Sequence, residues 1–261
     1  MIRRSGVVMV WFVLLAASAG AELKYTMKVE ARPSTVSAAA TGHPLLSVIG
    51  PLVVESIAPA GGVELRAIVG ERGARMEYSR AYTIIPAGGA LIVSTDGSIV
   101  VVNPAAKTFW RMAAPQAARA AQVAPDVKVS RTGAFETILG VRAEHATIDI
   151  RMALPLPAEA NLPGIPADLA ITGEAWLADQ FRKYVGATGF AAIAGTLGPG
   201  TLAAAGFPMR SIMRSEIFGG QQIESIVTSI EESPAPAGAF DVPAGFTEVP
   251  PQIGGFPGPG R

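Results

Sequence analysis

Leu23, Tyr25, Met27 and Val29 alternate with Lys24, Thr26, Lys28 and Glu30. A period of two predicts a strand with one dry face and one wet face. The same alternation returns at Val63, Leu65, Ala67 and Val69, interleaved with Glu64 and Arg66, and again at Ala74, Met76 and Tyr78, interleaved with Arg75 and Glu77. Glu71-Arg72-Gly73 is short enough to join the last two as a hairpin. Apolar runs follow at Ala90 to Val93, Ile99 to Val102 and Lys107 to Met112. Asp96-Gly97 supplies a turn in which glycine accepts positive φ, and Asn103-Pro104 punctuates the next one. Gaps this short leave no room for crossover helices, so the pairing they predict is antiparallel.

A second sheet-like block is predicted from Val127 to Ser130, a turn at Thr132-Gly133, then Phe135 to Leu139, Val141 to Ile150 and Ile171 to Trp176. Met209 to Ile217 and Gln222 to Ile230, separated by Gly219-Gly220, read as the closing hairpin. Between these blocks lie an alanine-rich stretch at 113–124, read as partial helix, and a segment broken by Pro155, Pro157, Pro163 and Pro166. Asp179 is placed to cap a short helix that packs through Phe181, Tyr184 and Val185. The segment from Phe190 to Gly206 reads as a loose helix or a covering loop. The expected fold is mainly β: one strongly curved antiparallel sheet of about nine to eleven strands with a few short helices.

The two ends do not fit this pattern. Arg3 and Arg4 precede an apolar run from Val7 to Ala17, and Ala19-Gly20-Ala21 fits a small-x-small cleavage site. This predicts a signal peptide over 1–21 and a mature chain beginning at Glu22. The run is too short for a comfortable bilayer span, so no stable membrane span is expected after cleavage. The expected location is the periplasm or cell envelope, or outside the cell, with the export route left open between the general and the twin-arginine pathways. One domain is expected over 22–250, followed by a Pro/Gly-rich disordered tail at 251–261.

Composition removes several function classes. The 261 residues include 21 Lys and Arg against 21 Asp and Glu, so charge gives no reason to bind nucleic acid. There is no cysteine, hence no disulfide and no thiol chemistry. His43 and His145 are the two histidines, too few for a multi-histidine metal site. No cofactor or phosphate-binding motif is present, and no cofactor is expected. His145 could act as a base beside a carboxylate, and Glu77, Glu136, Glu144, Glu174 and Glu216 lie in or beside strands. Two of these carboxylates close together would suggest glycoside hydrolysis, but strand glutamates are more often solvated or paired with arginine.

The aromatic and methionine residues carry more information. Tyr25, Met27, Met76, Tyr78, Trp110 and Trp176 fall on predicted strands, and the first two pairs sit opposite charged residues that must face water. Their apolar side must be covered by packing or by a ligand. Methionine suits an adaptable lining.

Five stretches also carry a family resemblance. They are Arg75-Met76-Glu77-Tyr78 with Asp96-Gly97 and Asn103-Pro104, then Thr137 to Ala143, then Gly173-Glu174-Ala175-Trp176-Leu177, then Gly206-Phe207-Pro208-Met209, and finally Phe240 to Phe246. In order and spacing the chain resembles an uncharacterised domain-of-unknown-function family of exported bacterial proteins. That family is itself similar to the LolA-type lipoprotein carriers. The resemblance implies a half barrel around an apolar cavity and binding of a lipid or lipoprotein. It assigns no acyl-contacting residue. The leading expectation is therefore a non-enzymatic exported protein that binds a lipophilic ligand or an acylated protein. A sensor or scaffold recognising an envelope protein is the alternative, and a hydrolase is a third class.

Overall fold

The computed structural model describes residues 20–34, 51, 54–55, 57–82, 85–96, 98–112, 126–153, 168–185 and 205–250. The signal peptide's body, the loop containing His43, the alanine-rich stretch, the proline-broken segment, most of 190–206 and the tail at 251–261 lie outside the described residues.

Twelve strands form a single sheet, in the order β12-β6-β5-β4-β3-β2-β1-β11-β10-β9-β8-β7. The first meander comprises β1 (Glu22–Pro33), β2 (Val63–Gly70), β3 (Gly73–Tyr78), β4 (Ala90–Ser94), β5 (Ile99–Asn103) and β6 (Thr108–Met112). The second comprises β7 (Asp126–Ile138), β8 (Val141–Ala153), β9 (Asp168–Ala178), β10 (Phe207–Ser215) and β11 (Gln221–Ser233). β1 pairs antiparallel with β2 on one side and with β11 on the other, so the first strand joins the two meanders. A 3-10 turn at Asp179–Phe181 leads into α1 (Arg182–Val185); Phe181, Tyr184 and Val185 are buried as the sequence predicts, but Asp179 is not the cap: Ala178 holds that position without a side-chain cap bond, and Asp179 binds Arg131 and Arg182 instead.

The strongly curved antiparallel half barrel is not what forms. The sheet is open and is neither closed into a barrel nor strongly curled. It is also mixed, because β12 (Thr247–Glu248) runs parallel to β6. The physical reason lies in β4 and β5. A sheet that curls around one core has one dry face, but Ala90, Leu91, Ile92 and Val93 are all buried, as are Val100, Val101 and Val102. Leu91, Val93 and Val101 join the main core, whereas Ala90, Ile92, Val100 and Val102 pack with Phe109 under Val242 and Phe246. Both faces of these strands are covered, so neither side favours curling.

The second cover is the C-terminal segment, 234–249. Glu22, a buried carboxylate, accepts from the Ala235 amide at 2.8 Å and pairs with Arg72 at 3.2 Å. Arg72 in turn stacks on Phe240 at 5.0 Å. Arg75 donates to the Ala239 carbonyl at 3.4 Å. The segment therefore runs as an anchored strap across the sheet and ends by pairing with β6.

Local geometry departs from expectation in β7. Thr132-Gly133 is not a turn: β7 runs through it as one strand, with a register shift between Arg131 and Phe135 and Gly133 at φ 76°. The turn falls instead at Leu139-Gly140, at φ 53° and 78°. Among the described residues Gly73 is the tightest glycine. Its φ is 140°, and a Cβ there would meet the Val93 carbonyl oxygen at 2.3 Å. Gly73→Ala should therefore lose about 2 kcal/mol or more, through combined strain and displacement of β4. A urea melt checks this. An unchanged midpoint would mean that the β2–β3 turn is not held as described.

Candidate functional site

The register gathers most of the predicted apolar residues into rows across the strands. Tyr25 stands opposite Ala67, Ala67 opposite Met76, and Met76 opposite Leu91. The same row continues through Val101 to Trp110. Met27, Leu65 and Tyr78 form the neighbouring row. Sheet sterics make this outcome necessary, because residues that face each other across a ladder point to the same side. Tyr25, Met76, Tyr78 and Trp110 are buried in one core cluster, with Met27 partly buried against it. Met76 is 1% exposed.

Trp176 does not lie on these rows. It stands opposite His145 on β8 and Arg210 on β10, and Arg210 aligns through Ile226 with Lys28, on the charged side of β1. A register shift between Pro208 and Arg210 alters the alternation that sequence reading extends along β10. Trp176 is partly buried against the main cluster, with the Arg210 guanidinium 3.6 Å from its ring centre and the His145 ring at 5.0 Å. Arg210 was missed as a site residue. Its Nε is enclosed without a hydrogen-bond partner, while its terminal nitrogens hold Glu136 at 2.8 and 3.3 Å.

Around Tyr25 and Tyr78 the packing is aromatic. Phe207 meets Tyr25 edge-on at 5.1 Å and Phe181 at 5.9 Å, and Tyr78 stacks on Tyr82 at 4.9 Å. Neither the Tyr25 nor the Tyr78 hydroxyl makes a hydrogen bond to a described residue. Among the described residues Arg210 Nε is the enclosed side-chain atom left without a partner. Burial pushes the phenols of Tyr25, Tyr78 and Tyr82 above their ordinary value, and Tyr78 is raised further by Tyr82 and Tyr25 beside it. At neutral pH these groups are uncharged donors set in an apolar face.

The strand carboxylates are engaged with arginines. Glu77 pairs with Arg75 at 2.9 Å, Glu136 with Arg210, Glu144 with Arg131, and Glu174 with Arg214 at 3.0 Å. The Arg214 hydrogen bond, aided by His145 at 3.4 Å, holds the Glu174 carboxyl below its ordinary range. Thr132 Oγ1 lies 3.1 Å from His145 Nδ1. A glutamate locked to arginine is a poor proton acceptor, so this constellation is better suited to holding β7, β8 and β9 in register than to acid–base work. Among the described residues there is no group of three or more His, Asp or Glu able to hold a metal ion. None of their helices is long and apolar enough to cross a membrane.

Residues 49–246 match the family described as Domain of unknown function (DUF4412). The chain belongs to this family. No curated protein matches the sequence. A solved LolA superfamily protein from Nitrosomonas europaea aligns over 85% of this chain and 90% of its own, with 8% identity and a TM-score of 0.33. Similarity at that level supports no inference about this DUF4412 chain's fold or ligand.

The chain's four tyrosines give a direct test of the apolar face. Tyr25, Tyr78, Tyr82 and Tyr184 are all raised above the ordinary value of about 10. A folded-state pKa above the unfolded one adds stability that is complete below about pH 10 and is lost as pH climbs through the folded value. Tyrosinate absorbance near 295 nm should therefore stay low in the native protein at about pH 10, where the urea-unfolded chain is half ionised. Matching titration curves for the two states would overturn the burial of these rings.

Proposed function

We propose that this DUF4412 protein is a non-enzymatic, exported binding protein whose apolar sheet face receives a lipophilic ligand or the acyl chain of a modified protein. One observation carries the reading. The register gathers Tyr25, Met76, Tyr78 and Trp110 into one apolar cluster, and no described residue hydrogen-bonds the Tyr25 or Tyr78 hydroxyl. An amphiphile with a carbonyl or carboxyl end would accept from these phenols while its chain lies along the apolar rows. Burial would contribute roughly 25 cal/mol per Å² of ligand surface. Each phenol hydrogen bond would add about 0.5–1.5 kcal/mol.

The test uses an environment-sensitive fluorescent fatty acid. Wild type should bind it saturably. Tyr78→Phe should leave stability nearly unchanged and weaken binding by about two- to tenfold, the equivalent of one hydrogen bond. Met76→Ala, at a packed position, should instead cost roughly 2–5 kcal/mol of stability. No saturable probe binding by the wild type would defeat the proposal. The alternative, recognition of an envelope protein, would then gain ground, because Phe135 and Leu139 stand 50% and 51% exposed near the end of the β7–β8 hairpin.

Export is the second half of the proposal. Glu22, the expected first residue after cleavage, is also the first residue of β1. N-terminal sequencing of protein recovered from the periplasm or medium should begin at Glu22. Retention of Met1 in a cytosolic pool would refute it.

A further inference from the structure

The charged side of the central strands holds a feature that the apolar proposal does not use. A cavity of about 330 Å³ opens on it across β11, β1, β2 and β3. From this geometry we infer a binding site for an oxyanion, a carboxylate or a phosphate, held by Lys24, Arg66 and Arg75.

The register sets the cations around an apolar floor. Lys24 and Arg75 flank Ile68 in one cross-strand row, and Thr26 and Arg66 stand side by side in the next. Two strand spacings, roughly 10 Å, separate Lys24 from Arg75, which leaves room for a small anion over Ile68. Glu77 and Glu231 also line the cavity, and Arg66 is paired with Glu64 beside it, so each cation has one carboxylate neighbour.

The donors are also underused. Lys24 Nζ lies 3.8 Å from Glu231, beyond hydrogen-bond distance. Arg66 engages a single Glu64 oxygen through Nε and Nη2, which leaves Nη1 without a partner among the described residues. Arg75 uses Nε on Glu77 and Nη1 on the Ala239 carbonyl, which leaves Nη2 in the same condition. The side-chain hydroxyls of Thr26 and Ser229, also at the cavity, have no described partner. Arg75 is only 17% exposed and is fixed by the strap, so its guanidinium is set in place before any anion arrives. A preorganised guanidinium with free N–H groups matches the geometry of carboxylate and phosphate oxygens.

The experiment is an amide NMR titration of the purified protein at low ionic strength, with inorganic phosphate in one series and acetate in another. The amides of Thr26, Ile68 and Ser229 should shift saturably with at least one anion. The midpoint should rise about tenfold in Arg66→Met and in Lys24→Met, with unchanged circular dichroism. Sodium chloride at the same ionic strength should give no saturable shift. The second variant keeps the test decisive if the first fails to fold. Sedimentation with phosphatidylglycerol vesicles, against phosphatidylcholine vesicles, separates the sources. Binding to the anionic vesicles that phosphate competes away assigns a lipid headgroup. Phosphate or acetate binding without vesicle binding assigns a free small anion. Linear shifts, or shifts unchanged in both variants, would overturn the site. Failure of the fatty-acid probe to bind the apolar face would leave this result untouched, because the two sites lie on opposite faces of the sheet.

Discussion

The ladder between β1 and β11 is the interaction on which the sheet depends. Every other antiparallel pair joins strands consecutive in the chain, with short loops or the longer segments between them. β1 and β11 are brought together from opposite ends of the sequence, and their register runs from Glu22 opposite Ser233 to Pro33 opposite Gln221. Closing so long a loop costs conformational entropy that the ladder and the core beneath it must offset. Leu23, Tyr25 and Val227 are buried at this junction, and Phe207 packs edge-on against Tyr25. The junction thus joins two meanders that would otherwise be separate sheets, and it sets the phase of the apolar rows on one side and of Lys24 on the other.

Much of the first meander was legible because its alternation is strict. Leu23 to Val29, Val63 to Val69 and Ala74 to Tyr78 each show one apolar and one polar side, and sheet geometry then aligns Tyr25, Met76 and Trp110 without further information. The signal fails where the period breaks. β4 and β5 are apolar on both sides, which from sequence could have meant a deep one-sided core or, as it proves, a sheet covered twice. The second cover comes from Val242 and Phe246 in a proline- and glycine-rich segment whose composition suggests only a surface run. β12 is two residues long, too short for any periodicity. These omissions turned an open mixed sheet into an expected half barrel.

The site residues divide along the same line. Trp176, a large aromatic on a strand, reads as one of the apolar set; it packs against the main cluster, while the irregularity at Pro208 and Arg210 also sets it beside the Arg210 guanidinium. The alternation along β3 predicts that Arg75 faces water. It does occupy the polar side, yet the strap covers it through Ala239, a contact spanning 164 residues that no local pattern encodes. Glu22 is the same case. A carboxylate at the start of a strand reads as solvated, and here it is buried because Arg72 and the Ala235 amide supply its partners. Gly70 leaves room for it, since a Cβ there would lie 2.4 Å from Glu22 Cγ.

Lys24, Arg66 and Arg75 each precede a member of the apolar row, Tyr25, Ala67 and Met76, by a single residue. On a pleated strand this puts the cations directly behind the row, with only the backbone between the two faces. A change that shifts one face must therefore act on the other through β1, β2 and β3. The strap adds a constraint on direction. It is tied to the cationic face by Arg72 and Arg75 and to the second core by Phe246, while the apolar row is packed by Phe207 and Phe181 from the other side. Movement of the central strands toward either cover would cost packing on the other. The thin sheet between them is thus held at a fixed depth, with the Tyr25 and Tyr78 rings enclosed in the main core.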